Sequence, residues 1–123
     1  MAEGIANNIF PNYISVQSAG TEAHGLNKYA VEVMQKISMP ISHHKSKIID
    51  TNQLDSFDLI ITLCGDARDK CPYFKSTTKH IHWDIEDPAN FKGEEIDTIN
   101  KYIEVRDIIF EKISNFNNNL EKL

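Results

Sequence analysis

Arginine is nearly missing from this sequence of 123 residues, where Arg68 and Arg106 are its two representatives. Lysine and arginine together number 13 against 18 acidic residues, a net charge of −5 with no basic cluster. That balance argues against a nucleic-acid partner, because such binding depends on grouped cations that neutralise phosphates. Long apolar runs are also lacking, so no segment has the length to span a bilayer. The opening residues, MAEGIANNIF, carry neither the basic start nor the continuous apolar stretch of a secretory signal. The expectation is a soluble, cytoplasmic protein. Its two cysteines are too few for a disulfide framework, and in a reducing compartment they are better read as free or catalytic thiols. Neither repeats nor linker-like stretches interrupt the chain. With 41% hydrophobic residues, positions 1–123 are expected to form one domain.

Both cysteines fall in one stretch, Phe57 to Phe74, reading FDLIITLCGDARDKCPYF. The β-branched run Leu59 to Leu63 reads as a buried strand that stops at Cys64, with Gly65 as breaker and Asp66 as helix N-cap. Cys64 then lies at a strand's carboxyl end, the edge where open α/β sheets bind ligands. A helix N-terminus there would also stabilise negative charge. If Asp66 to Lys70 is helical, the sulfurs of Cys64 and Cys71 stand about 10 Å apart along the axis. A disulfide requires Cα atoms within about 7 Å, so bridging them would need the segment between to leave helical geometry. Gly65 and Pro72 would ease that change. Spacing alone leaves two readings open, an exchangeable dithiol or two small buried hydrophobes.

Taken in order, the chain predicts a helix over Ala2 to Phe10, with Ile5 and Ile9 one turn apart, ending at Pro11. Tyr13 to Gln17 alternates like a strand, and Ser18, Ala19 and Gly20 form a turn. Asn27 caps a helix from Lys28 to about Ile37 whose apolar face includes Met34, a core candidate. Pro40 to Asp50 reads as a connector with room for a short helix. A further strand is predicted over Lys79 to Trp83, and Asp87-Pro88 breaks the chain. A long helix follows from Glu94 to Asn115, with Ile96, Ile99, Ile103, Ile109, Phe110 and Ile113 at helical intervals. Residues from Asn117 to Leu123 are polar enough to fray. Strands alternating with helices point to an α/β layer fold with a mostly parallel sheet, although three strands are few for that architecture.

Several segments together resemble the thioredoxin-coupled arsenate reductases, which share the fold of the low-molecular-weight protein tyrosine phosphatases. The matching pieces are MAEG from Met1, SAGTEAHGLN from Ser18, ISHHKSK from Ile41, TLCGDARDKCP from Thr62, HWDIEDPA from His82 and VRDII from Val105. The resemblance implies a phosphotyrosine-phosphatase-I-like, flavodoxin-like three-layer fold. It also implies a strand and a C-x5-R loop just before MAEG, holding the attacking cysteine and the oxyanion-binding arginine. The printed chain starts after them, so the first central strand is expected to be missing. CGDARDK does not replace that loop, because Asp66 and Asp69 place negative charge where an oxyanion cradle needs N–H groups and positive potential.

What the resemblance assigns to the residues present is a thiol relay. Cys64 attacks the arsenic-bearing sulfur of the absent loop cysteine, Cys71 then attacks Cys64, and thioredoxin reduces the resulting bridge. Arsenate is the implied substrate, reduced thioredoxin the electron donor, and no bound cofactor or metal is expected. Asp87 matches the family's general acid; apart from the resemblance it reads better as a turn or cap aspartate than as an acid. Ala89 and Asn90 follow Asp87-Pro88 where phosphatase relatives carry tyrosines, which favours a small oxyanion over phosphotyrosine. His82, beside Trp83, reads as a structural hydrogen-bonding residue, and adjacent His43 and His44 should point apart. A zinc set of Cys64, Cys71, His80 and His82 lacks the usual short ligand spacing. Without the loop and its strand, the 123-residue chain is expected to be poorly stable, to associate through unpaired strand edges, or to be inactive as an arsenate reductase. Two rivals remain, a non-catalytic dithiol protein that binds thioredoxin and a fragment of a low-molecular-weight phosphatase without a relay.

Overall fold

Helix α1, Ala2–Ile9, packs the apolar side that its sequence spacing predicts, with Ile5 and Ala6 buried. This computed structural model describes residues 1–20, 25–50, 52–70 and 78–120. Gly4 lies on the same buried side of α1, and the reason for glycine is steric. A Cβ there would stand 2.6 Å from Ile41 Cγ2 and 3.2 Å from Met34 Cε. Gly4→Ala should therefore lower stability by about 1–2 kcal/mol, overpacking outweighing the gain in helix propensity, as read from a shifted urea midpoint. An unchanged or raised midpoint would show that the Ile41 contact yields freely. Glu3, one residue earlier, ties α1 to two later segments. Its Oε1 accepts from the Ser18 N–H at 3.0 Å, and its Oε2 lies 3.1 Å from His44 Nδ1.

Helix α2, Lys28–Gln35, starts where the cap rule places it. Asn27 Oδ1 accepts from the N–H groups of Tyr29 and Ala30 at 2.8 and 3.2 Å. It ends in a Schellman turn, with Ser38 at φ 58°, the Met39 N–H bonded to Met34 O and the Ser38 N–H to Gln35 O. The strand expected over Tyr13 to Gln17 does not form. Tyr13 sits in a turn, and the neighbouring backbone makes one isolated parallel bridge, Gly20 to Ile48. Alternation qualifies a segment to be a strand, but a ladder needs a partner, and none runs beside 13–17 among the described residues. The connector Pro40 to Asp50 holds no helix. A short 3-10 turn, Leu54–Ser56, follows it and buries Leu54.

Strands β1, Leu59–Thr62, and β2, Lys79–His82, pair in parallel with Leu59 opposite Lys79 and Thr62 opposite His82. Helix α3, Gly65–Lys70, leaves the end of β1. The described sheet thus has two strands, one fewer than the three expected. Helix α4, Glu95–Asn118, is the longest element, and its buried stripe is Tyr102, Val105, Ile109 and Ile113. Ile96 and Phe110, expected on that stripe, are 62% and 40% exposed. The core joins Ile5 and Ala6 of α1, Ala30, Val33 and Met34 of α2, and the α4 stripe, with Ile41 and Ile85. Leu63 and Trp83 pack against it from the sheet side. Burial pushes the Tyr102 phenol above its ordinary range, with the Asp87 charge adding in the same direction. Among the described residues, no helix is long and apolar enough to cross a membrane.

Candidate functional site

The carboxyl ends of β1 and β2 collect the residues that carry chemistry. Cys64 is a free, half-buried thiol two positions past β1. Its carbonyl accepts from the Arg68 N–H at 3.1 Å, which starts α3 at Gly65. Cys64 therefore occupies the boundary of the helix, two positions before the cap expected at Asp66. Cys71 lies outside the described residues. Residues 65–70 between the two cysteines are helical, as the spacing argument assumed.

Asp87 follows β2 by five positions and is exposed. It caps the 3-10 turn Pro88–Asn90, its Oδ1 accepting from the Ala89 N–H at 2.9 Å. The cap fixes the carboxylate at the head of the turn, and Pro88, buried, anchors the turn against the protein. Neighbouring Glu86 turns away to Lys101, with 2.6 Å between Oε2 and Nζ. That hydrogen bond, with the charges of Glu104 and Glu86, holds the Lys101 ammonium above the usual lysine range.

Neither arginine offers an oxyanion clamp. Arg106 donates to Val33 O at 2.9 Å and pairs with Asp107, stitching α4 to α2. Arg68 pairs with its neighbour Asp69 at 3.2 Å. These contacts agree with reading CGDARDK as something other than an anion cradle.

Sequence reasoning missed a polar chain beside Cys64. Thr62 is buried, and its Oγ1 lies 2.9 Å from His80 Nε2 and 2.8 Å from His82 Nδ1. The opposite end of the His82 ring, Nε2, is 3.6 Å from Asp84 Oδ1. The signal was present as Thr62-x-Cys64 and His80-x-His82, period-two spacing on two strands, but it becomes legible only once their parallel register is known. His82 has the hydrogen-bonding role expected of it. The His43 and His44 rings, expected to diverge, meet edge to face with centroids 4.5 Å apart. No group of three metal-ligating side chains gathers among the described residues.

Comparison with known proteins places this geometry among others. The sequence model of the low molecular weight phosphotyrosine protein phosphatase family matches residues 1–123. The arsenate reductase of Bacillus subtilis is 43% identical over 94% of this chain and 84% of its own length. That of Bacillus licheniformis is 46% identical over the same shares. A solved arsenate reductase in the oxidised state superposes with a TM-score of 0.77 at 25% identity, over 96% of this chain and 86% of that one.

Proposed function

Since this chain belongs to the low molecular weight phosphotyrosine protein phosphatase family, we propose that it serves arsenate reduction, with Cys64 and Cys71 as relay thiols regenerated by thioredoxin in the cytoplasm. The observation that carries the reading is the place of Cys64, a free thiol where β1 meets α3, in a chain above 40% identical to arsenate reductases over most of its length.

A first thiol, on the loop that the resemblance places before Met1, bonds to arsenic as Asp87 protonates the departing oxygen. Cys64 attacks that sulfur, an S–S bond forms, and the S–As bond breaks with its electron pair leaving on arsenic as arsenite. Arsenic gains two electrons and each sulfur loses one. Cys71 then attacks Cys64, freeing the first cysteine, and thioredoxin reduces the Cys64–Cys71 bond. Because 65–70 is helical, the bridge requires this helix to open, which exposes the new disulfide to its reductant. Asp87 heads a turn of Pro88, Ala89 and Asn90. That turn has no aromatic platform for an aryl phosphate, which favours a small oxyanion as substrate.

The test is arsenite formation with thioredoxin, measured on the 123-residue chain and on a form that carries a strand and C-x5-R loop ahead of Met1. Steady arsenite production by the loop-bearing form, with none from the shorter chain, is expected. Equal rates from both would show that the relay does not need that loop. No arsenite from the loop-bearing form would remove the arsenate reading.

A further inference from the structure

Asp87 sits in an arch whose two feet are fixed. On one side Ile85 is buried and its N–H donates to Leu63 O, and on the other Pro88, also buried, starts the turn Pro88–Asn90. Between the feet, Glu86 and Asp87 are both exposed. An arch held at its feet alone is free to swing about the line that joins them. The hydrogen bond of Asp87 does not stop this, because its donor, the Ala89 N–H, belongs to the same turn and moves with it. Among the described residues, one side-chain hydrogen bond or ion pair ties positions 86–90 to another element. It joins Glu86 Oε2 to Lys101 Nζ at 2.6 Å.

Lys101 is well placed to hold the arch. It stands on α4 beside Tyr102, which is buried, as is Val105 one turn later, and Arg106 donates to Val33 O, so this stretch of helix is fixed to the core. The Lys101 side chain is 18% exposed, and its ammonium also lies 3.7 Å from Glu104 Oε2. Burial raises the Tyr102 phenol and the Asp87 charge adds to it, which puts that carboxylate within electrostatic reach of the same turn of α4. The backbone at Asp87 is extended, with φ −77° and ψ 113°. In extended backbone, neighbouring side chains leave on opposite sides. Holding Glu86 against α4 therefore sets the direction in which Asp87 is presented.

We propose that Lys101 is the positioning residue of Asp87, clamping the arch to α4 through Glu86 so that the acid meets the departing oxygen in one orientation. The inference rests on reading Asp87 as the acid of the arsenate step. Lys101 acts through Glu86 and takes no part in the bond changes itself. An exposed ion pair contributes little to global stability. A misplacement on the order of 1 Å at a reacting group, by contrast, costs up to about a hundredfold in rate. Loss of Lys101 should therefore show in the acid-assisted step and hardly at all in a urea midpoint.

The experiment measures arsenite formation by the loop-bearing form with Lys101→Met, which keeps a long apolar stem and removes the charge. kcat should fall about tenfold with KM held within about twofold. Lys101→Arg still pairs with Glu86 and should stay within about threefold of the parent. Glu86→Gln should lose about as much as Lys101→Met, and the double variant should lose less than about twofold more, since both changes remove one contact. Reduction of the Cys64–Cys71 disulfide by thioredoxin uses no proton from Asp87 and should keep the parent rate throughout. Parent turnover in Lys101→Met, equal losses in arsenate turnover and disulfide reduction, or losses that multiply in the double variant would overturn the proposal. A second arm needs no turnover. In the 123-residue chain, Lys101→Met should speed hydrogen exchange of the Ala89 and Asn90 amides about threefold or more, with the Phe10 amide at the end of α1 unchanged. Unchanged exchange at the turn also overturns the proposal. A loop-bearing parent that makes no arsenite would remove the arsenate reading, while the exchange arm would still decide whether Lys101 holds the arch.

Discussion

Cys64→Ser should abolish electron uptake from thioredoxin by the oxidised chain, a fall of about a thousandfold or more to the background of the assay. A serine hydroxyl neither forms a disulfide nor attacks one under these conditions, so nothing else in the chain inherits the step. Cys71→Ser should behave differently. It leaves Cys64 able to form a mixed disulfide that stalls, visible as a covalent adduct with the attacking partner. The contrast separates a relay from two buried cysteines, since packing cysteines tolerate serine with effects on stability alone. Stopped-flow thioredoxin oxidation, monitored by its tryptophan fluorescence, reads both variants. Unaltered kinetics in Cys64→Ser would end the assignment.

Asp87→Asn should lower arsenate turnover in the loop-bearing form by about 10²–10⁴, the usual value of a positioned acid. Asparagine is the informative substitution because Asp87 does two jobs. Its Oδ1 caps Pro88–Asn90 through the Ala89 N–H, and asparagine caps about as well as aspartate. Asp87→Ala would confound the two, removing a cap worth about 1 kcal/mol along with the proton. Full turnover in Asp87→Asn would return this residue to the turn-cap role that its geometry also satisfies.

Local signals predicted local structure well. Asn27 stands one residue before a helix and caps it; Leu59 to Leu63 and Lys79 to Trp83 became β1 and β2 within one residue. These elements carry their instructions in a few adjacent side chains. Tyr13 to Gln17 did not, because strand formation depends on a neighbour that the segment cannot specify. The α4 stripe shows a subtler limit. Isoleucines at helical intervals identified the helix, but burial fell on Tyr102, Val105, Ile109 and Ile113, while Ile96 faces outward. Periodicity fixes that a face exists, and packing partners decide where it turns. The site divides in the same way. Cys64, Cys71 and Asp87 came from motif and resemblance, whereas Thr62, His80, His82 and Asp84 needed the parallel register of two strands.

Helix α3 occupies positions 65–70 between the two cysteines of the sequence, and within it Arg68 pairs with adjacent Asp69. A short helix of this kind opens at low cost, since so few turns cannot repay nucleation by themselves. The most direct measurement is therefore the fate of the two cysteines on oxidation of the 123-residue chain, read by peptide mapping and mass spectrometry under dilute conditions. The account predicts one intramolecular Cys64–Cys71 disulfide, formed with loss of helical circular dichroism and reversed by thioredoxin. Oxidation that links Cys64 between chains, or leaves Cys71 as a free thiol, would contradict it.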